Sequence, residues 1–245
     1  METILRLHDV SKSFGMLSAV KDVSFEVEKG EIFGIAGPNG AGKTTLFNVI
    51  SGIPFPADSG SIIFKGAPIQ KRAPYKIYQH GLARTFQRET VFGSLSVLEN
   101  VTIAARYGAG TRGKDPRRIS MDTLEVVGLE GKSSTLAGEL SLFEKKLLML
   151  ASALVSQPAL LMLDEPASGL NRNEIAHFAK IVTLLKANGM TLLLIEHVLP
   201  LLLTLSDRLM ILDHGRKLTE GHPDDVLKEP AVVRAYLGKG FRHAG

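Results

Sequence analysis

Apolar and polar positions change rhythm several times along this chain, and each change predicts an element. Ile4–Val10 is a short apolar-rich run and Val23–Val27 alternates apolar with polar, so both read as strands. Lys29-Gly30 marks a turn, and Glu31–Ala36 is a third, mostly apolar strand that runs straight into a glycine-rich loop. Thr44–Ser51 reads as a helix that stops near Gly52, and Ser61–Phe64 as another strand. From about Ser96 to Ser156 helical spacing dominates, with a glycine-rich basic break at Tyr107–Arg118. Leu160–Leu163 and Thr191–Ile195 are short buried strands by composition. Between them, Glu174–Ala187 places Ile175, Phe178, Ile181, Val182 and Leu185 on one side of a helix. Leu209–Leu212 followed by His214-Gly215 predicts a terminal hairpin. Strands interleaved with helices imply an α/β fold with a mainly parallel central sheet, the opening strands forming a separate antiparallel piece.

Composition narrows the class. The 245 residues suffice for one domain with a sizeable core. Cysteine is absent, which removes disulfide frameworks, thiolate metal sites and cysteine nucleophiles, and fits a reducing compartment. The net charge of +4 permits contact with anionic surfaces without demanding it. The opening METILRLHDVSKSF lacks the basic-then-apolar layout of a signal peptide. The longest apolar stretch, near Leu192–Leu205, is broken by Glu196, His197 and Pro200, and is too short and polar for a membrane span. Action at a membrane is therefore expected to run through partners. The basic break gathers Arg106, Arg112, Lys114, Arg117 and Arg118 around Gly108, Gly110 and Gly113. It reads as a solvated loop more readily than as a lipid contact, and it lacks the interleaved aromatics of a nucleic-acid groove.

Two motifs carry chemistry. Gly37-Pro38-Asn39-Gly40-Ala41-Gly42-Lys43-Thr44 fulfils G-x-x-x-x-G-K-[ST] between a strand and a helix, with Thr45 following on the same turn. Its glycines let backbone N–H groups curl around phosphate oxygens, and the helix aims its positive end at the same anion. Lys43 is placed for the β- and γ-phosphates, and the Thr44 hydroxyl for Mg²⁺. Leu160-Leu161-Met162-Leu163-Asp164-Glu165 sets two carboxylates at the end of a buried strand. There Asp164 is expected to hold Mg²⁺ or its water, and Glu165 to polarise an attacking water.

With these motifs the chain resembles the ATP-binding-cassette (ABC) ATPases over nearly its whole length. Gly37–Thr44 is similar to the family's Walker A, and Leu160–Glu165 to its Walker B. Phe14 stands where the family keeps an aromatic that stacks on adenine, and Gln87, in Arg84-Thr85-Phe86-Gln87, resembles the glutamine that senses the γ-phosphate and meets its Mg²⁺. Ser168-Gly169-Leu170-Asn171 is similar to the D-loop, with asparagine for the usual aspartate, and His197 resembles the switch histidine. The resemblance implies a P-loop NTPase (RecA-like) fold with a mainly parallel sheet, an antiparallel β subdomain and an inserted helical subdomain. It implies one nucleotide-binding domain over 1–245, the helical part at about 88–156 and a tail at about 230–245. Leu161–Asn171 and Val233–Gly238 further resemble ATPases of branched-chain amino acid importers, a group that includes carriers of urea, amides and other small acids. That implies two ATPase subunits, in such importers often non-identical, two membrane permeases and, indirectly, a periplasmic solute-binding protein, at the cytoplasmic face of the inner membrane.

One departure stands out. The family signature is usually Leu-Ser-Gly-Gly-Gln, and this chain has Leu140-Ser141-Leu142-Phe143-Glu144. Ser141 and Glu144 form a capping-box pattern, so a helix is expected to start there, with Ser141 in the nucleotide-binding role of the family. Phe143 is expected to add bulk, and Glu144 negative charge, where a partner's nucleotide approaches. Other readings stay open. A GTPase or small-molecule kinase shares the phosphate loop, but no Asn-Lys-x-Asp motif is present. DNA-repair or translation cassettes carry coiled coils or tandem cassettes, and neither pattern occurs. A regulatory subunit that binds ATP and hardly hydrolyses it also fits the altered signature.

Overall fold

The computed structural model describes residues 2–237. By contacts the chain divides into two compact units, Met1–Arg72 with Leu193–Gly245, and Ala73–Leu192.

In the first unit, β1 (Thr3–Phe14) and β2 (Leu17–Glu28) form an antiparallel hairpin. β4 (Ser59–Phe64) pairs with the other edge of β1, and β5 (Ala67–Pro68) closes a four-stranded sheet ordered β2-β1-β4-β5. The register sets Leu5 opposite Val27 and Phe64, and Leu7 opposite Phe25 and Ile62, so one face is a continuous buried apolar layer. This is the antiparallel piece expected from the opening strands. β1 runs past Val10 because the Asp58 side chain takes the Ser13 N–H and the Asp58 N–H bonds to the Ser11 carbonyl. Local polarity hid this extension from the apolar pattern.

The parallel part of the unit is built on β3 (Ile32–Ala36), buried at every residue. β3 runs parallel to β9 (Arg208–Asp213), with Ile35 beside Met210, and β8 (Leu192–Ile195) flanks its other edge. β10 (Arg216–Gly221) returns antiparallel to β9, the expected terminal hairpin. Helices α1 (Lys43–Ser51), α7 (Leu199–Leu205), α8 (Pro223–Val226) and α9 (Pro230–Leu237) complete it. Gly238 and the remainder of the expected tail lie outside the described residues.

In the second unit, β6 (Leu82–Arg84) lies parallel to β7 (Leu160–Asp164), Arg84 beside Met162. Around them stand α2 (Pro74–Gln79), α3 (Val97–Tyr107), α4 (Pro116–Val127), α5 (Leu142–Leu154) and α6 (Arg172–Ala187). The basic break is shorter than its composition suggests. Asp115 caps α4 and Pro116 occupies its first position, so Arg117 and Arg118 are helical. The rest closes into a turn at Ala109–Thr111, where the Thr111 hydroxyl donates to the Gly108 carbonyl at 2.7 Å.

Candidate functional site

The loop after β3 is held by its own backbone and by two other strands' ends. A Cβ on Gly37 would lie 2.1 Å from the Leu212 carbonyl oxygen, and one on Gly42 2.2 Å from that of Ala19. Both positions therefore exclude a side chain. Gly42 also has φ of 100°, a conformation other residues rarely adopt. The Gly215 N–H donates to the Ala41 carbonyl at 2.9 Å, and the Lys21 N–H to the Gly215 carbonyl at 2.7 Å. The β2 start, the loop and the β9–β10 turn thus meet at one junction. Lys43 is buried, and its ammonium donates to the carbonyls of Gly37 at 2.7 Å and Pro38 at 3.1 Å. The lysine folds back over a loop whose Asn39 and Gly40 are exposed. α1 begins at Lys43 with Thr44 and Thr45 in its first turn, and its N-cap glycine offers no side-chain cap.

Phe14 ends β1, is 44% exposed, and meets Phe55 edge to face with centroids 4.9 Å apart. His197 follows β8 with its side chain half exposed. Its N–H donates to the Glu196 carboxylate at 3.3 Å, and Glu196 is fully buried. All of these residues belong to the first unit.

Gln87, Ser141, Asp164 and Glu165 belong to the second unit. Asp164 ends β7, fully buried, and pairs with Arg84 at 2.6 Å. Burial pushes its carboxyl above the usual range, and the Arg84 guanidinium pulls the other way. Its Oδ1 has no hydrogen-bond partner among the described residues. Glu165 takes a left-handed backbone with φ of 47°, a strained conformation that costs on the order of 1 kcal/mol and recurs at functional positions. The Gln87 amide donates to the Glu165 carboxylate at 2.7 Å. The buried Lys146 ammonium donates to the Gln87 carbonyl at 3.0 Å and so ties α5 to this segment. Arg84 and Lys146 went unassigned in the sequence. Each could have been suspected only as a charge set in an apolar surround, Arg84 before Thr85-Phe86-Gln87 and Lys146 among the leucines of α5.

Ser141 is the N-cap of α5, with both capping-box bonds present. Its N–H donates to Glu144 at 3.0 Å, and its hydroxyl accepts the Glu144 N–H at 3.3 Å. The negative charge expected of Glu144 is compensated, since the carboxylate also pairs with Lys132. That hydrogen bond, with the Ser141 N–H, lowers the Glu144 pKa. Phe143 packs against the His177 ring at 5.3 Å, so part of its bulk is absorbed by α6. Leu142 leans over Gly169, where an added Cβ would come within 2.9 Å of it. Asn171, in place of the usual aspartate, is the N-cap of α6 and accepts from the Asn173 and Glu174 N–H groups. Asparagine caps as well as aspartate.

Among the described residues no helix is long and apolar enough to cross a membrane. None of them forms a group of three or more His, Asp or Glu side chains suited to a metal. In the second unit the unpartnered Asp164 Oδ1, and in the first unit the hydroxyl of the exposed Thr44, each have the hard-oxygen chemistry that Mg²⁺ takes.

Comparison with known proteins covers the same ground. The ABC transporter family model matches residues 20–168, and the branched-chain amino acid ATP-binding cassette transporter model matches residues 216–242. The high-affinity branched-chain amino acid transport ATP-binding protein BraF of Pseudomonas aeruginosa is 32% identical over 96% of this chain and 98% of its own. LivG of Salmonella typhimurium, of the same description, is 34% identical over 97% and 99%. The probable LivG of Archaeoglobus fulgidus is 35% identical over 96% and 95%. A solved ADP conformation of an ABC transporter cassette superposes with TM-score 0.88 at 33% identity, covering 98% of this chain and 100% of that one. A nucleotide-free cassette gives 0.87 at 33%, covering 97% and 100%.

Proposed function

The chain belongs to the ABC transporter family of ATP-binding cassettes, and from that premise we propose that it is the ATP-hydrolysing subunit of an importer for branched-chain amino acids or related small polar solutes. The observation that carries the reading is the phosphate loop itself, complete in sequence and closed over a buried Lys43. Phe14 stacks on adenine, while Gly37, Pro38, Asn39, Gly40, Ala41, Gly42, Lys43, Thr44 and Thr45 hold the phosphates. Thr44, Asp164 and Gln87 would hold Mg²⁺ directly or through water, and the ion would supply charge withdrawal from the phosphates. Glu165 accepts the proton of the attacking water, with its carboxylate oriented by the Gln87 amide at 2.7 Å. His197 reports the γ-phosphate, and Ser141 faces a partner's nucleotide.

The chain works as a peripheral subunit at the cytoplasmic face of the inner membrane, on two permeases fed by a periplasmic binding protein. Its second ATPase subunit is non-identical and supplies the usual signature to this chain's ATP. The test is proteoliposomes carrying this chain with its second ATPase subunit, the two permeases and the binding protein. ATP-driven leucine uptake is expected, and Glu165→Gln should lower turnover by about 10²–10⁴ while ATP still binds. Uptake of urea or an amide in place of leucine would move the cargo. Hydrolysis by Glu165→Gln within threefold of wild type would remove Glu165 from its role.

A further inference from the structure

We propose that Phe55 and Lys12 are positioning residues for the nucleobase, making Phe14 one wall of a built platform rather than a lone aromatic. The inference rests on reading Phe14 as the base-stacking residue, and the experiment below separates the two. Lys12 and Phe14 lie on the outer end of β1, and Phe55 on the segment that leaves α1. The Phe55 ring meets Phe14 at 4.9 Å and 73°, edge against face. The Lys12 ammonium stands 5.6 Å from the Phe14 centroid and 5.2 Å from that of Phe55.

Lysine on an exposed hairpin ordinarily carries its charge into water. Here its side chain is only 13% exposed, and its ammonium is held by Asp58 at 2.6 Å. The same Asp58 carboxylate accepts the Ser13 N–H at 2.7 Å and so fixes the backbone beside Phe14. Two groups from two distant segments, the Lys12 ammonium and the Phe55 ring, converge on the Phe14 ring, and Phe14 is still 44% exposed. A cation over an aromatic face draws on its π electrons, and a ring so polarised is a better partner for an electron-rich purine. The placement is tied to the phosphate loop at both ends. Past the hairpin turn, the Ala19 carbonyl abuts Gly42, while α1 starts at Lys43 and leads out toward Phe55. One helix therefore grips phosphate at its start and braces the base wall after its end.

The experiment is equilibrium binding to the full chain of MgATP, MgGTP and inorganic tripolyphosphate. The variants are Phe14→Ala, Phe55→Ala, Phe55→Leu, Lys12→Met and Lys12→Arg. Phe55→Leu keeps apolar volume and loses the aromatic edge, so it decides the matter if Phe55→Ala does not fold. Phe55→Leu and Lys12→Met are expected to weaken MgATP by about 3- to 10-fold while tripolyphosphate stays within about twofold, and Lys12→Arg should retain wild-type affinity. Unchanged MgATP affinity in Phe55→Leu, or equal loss of MgATP and tripolyphosphate, overturns the proposal. If Phe14→Ala loses MgATP and Phe55→Leu does not, the support role alone falls. If Phe14→Ala leaves the ratio of the two ligands unchanged, the base-stacking reading falls and takes the support role with it.

Discussion

Two helices of this chain begin where the family places an anion, and they begin in opposite ways. α1 starts after Gly42, which has no side chain to offer its first turn and sits at φ of 100°. No acidic residue occupies that turn, and a lysine opens it. α5 starts after Ser141, whose hydroxyl and N–H both engage Glu144, and Glu144 is in turn paired with Lys132. The first end leaves its positive pole without a side-chain cap or a carboxylate, whereas the second answers it with a carboxylate of its own. The amide donors of a helix start can be committed to the chain's own side chains or reserved for a ligand. Sequence shows which, because glycine before Lys-Thr and serine three residues before glutamate are opposite instructions.

The strongest way to break the contrast is to give the open end a side chain. Gly42→Ala places a Cβ 2.2 Å from the Ala19 carbonyl oxygen, in a backbone conformation that disfavours it. A loss of about 3 kcal/mol is expected, read as a lowered denaturant midpoint, together with loss of MgATP binding. Lys43→Ala comes next. It removes the ammonium that spans the Gly37 and Pro38 carbonyls, and MgATP affinity should fall by about two orders of magnitude, near 2.7 kcal/mol. Unchanged affinity at fixed Mg²⁺ would sink the phosphate-loop assignment.

Residue types at close spacing were readable in the sequence, and partners brought in from afar were not. The phosphate loop, the acidic pair at the end of β7 and the α5 capping box each lie within a few consecutive residues, so the sequence alone sets their members side by side. Phe14, Gln87 and His197 have no such local signal and were assigned through resemblance. Arg84, Lys146 and Lys132 were left without a role, and Gly215 was read only as a hairpin turn. Arg84 meets Asp164 across 80 residues, and Lys146 meets Gln87 across 59. The Gly215 N–H reaches the loop only because β9 lies beside β3. β6 has three residues and α2 six, too short for any periodicity to rise above its surroundings.

A smaller effect sharpens the contrast from the closed end. Ser141→Ala removes the cap hydroxyl and should cost about 1 kcal/mol of stability. MgATP affinity of the isolated chain should stay within twofold, because Ser141 belongs to the partner's nucleotide in the reading above. A large loss of affinity in the isolated chain would mean that the closed end serves this chain's own ATP.

The smallest effect is the most specific. Glu144 is held ionised by Lys132 and by the Ser141 N–H, so its folded pKa lies below its ordinary value near 4.5. The folded carboxylate therefore binds fewer protons than the unfolded one in the window between the two values. Its contribution to stability is complete above the unfolded value and is lost as pH falls through the lowered folded value. Glu144→Gln keeps an oxygen that can accept the Ser141 N–H but gives up the charge. At pH 7 the variant should be less stable by a few tenths of a kcal/mol to about 1 kcal/mol, the range of a partly exposed ion pair. The wild-type excess should shrink steadily as pH drops below the ordinary glutamate range, because acid removes from the wild type what the substitution has already removed. Asp58, Glu26 and Glu99 are lowered in the same direction, so acid destabilises both proteins, and only their difference isolates Glu144. Lys132→Met should reduce that difference by removing the ion pair. A difference that stays constant from pH 7 down to the acid transition would mean that Glu144 acts through cap geometry alone, and the two helix starts would then differ in shape rather than in charge.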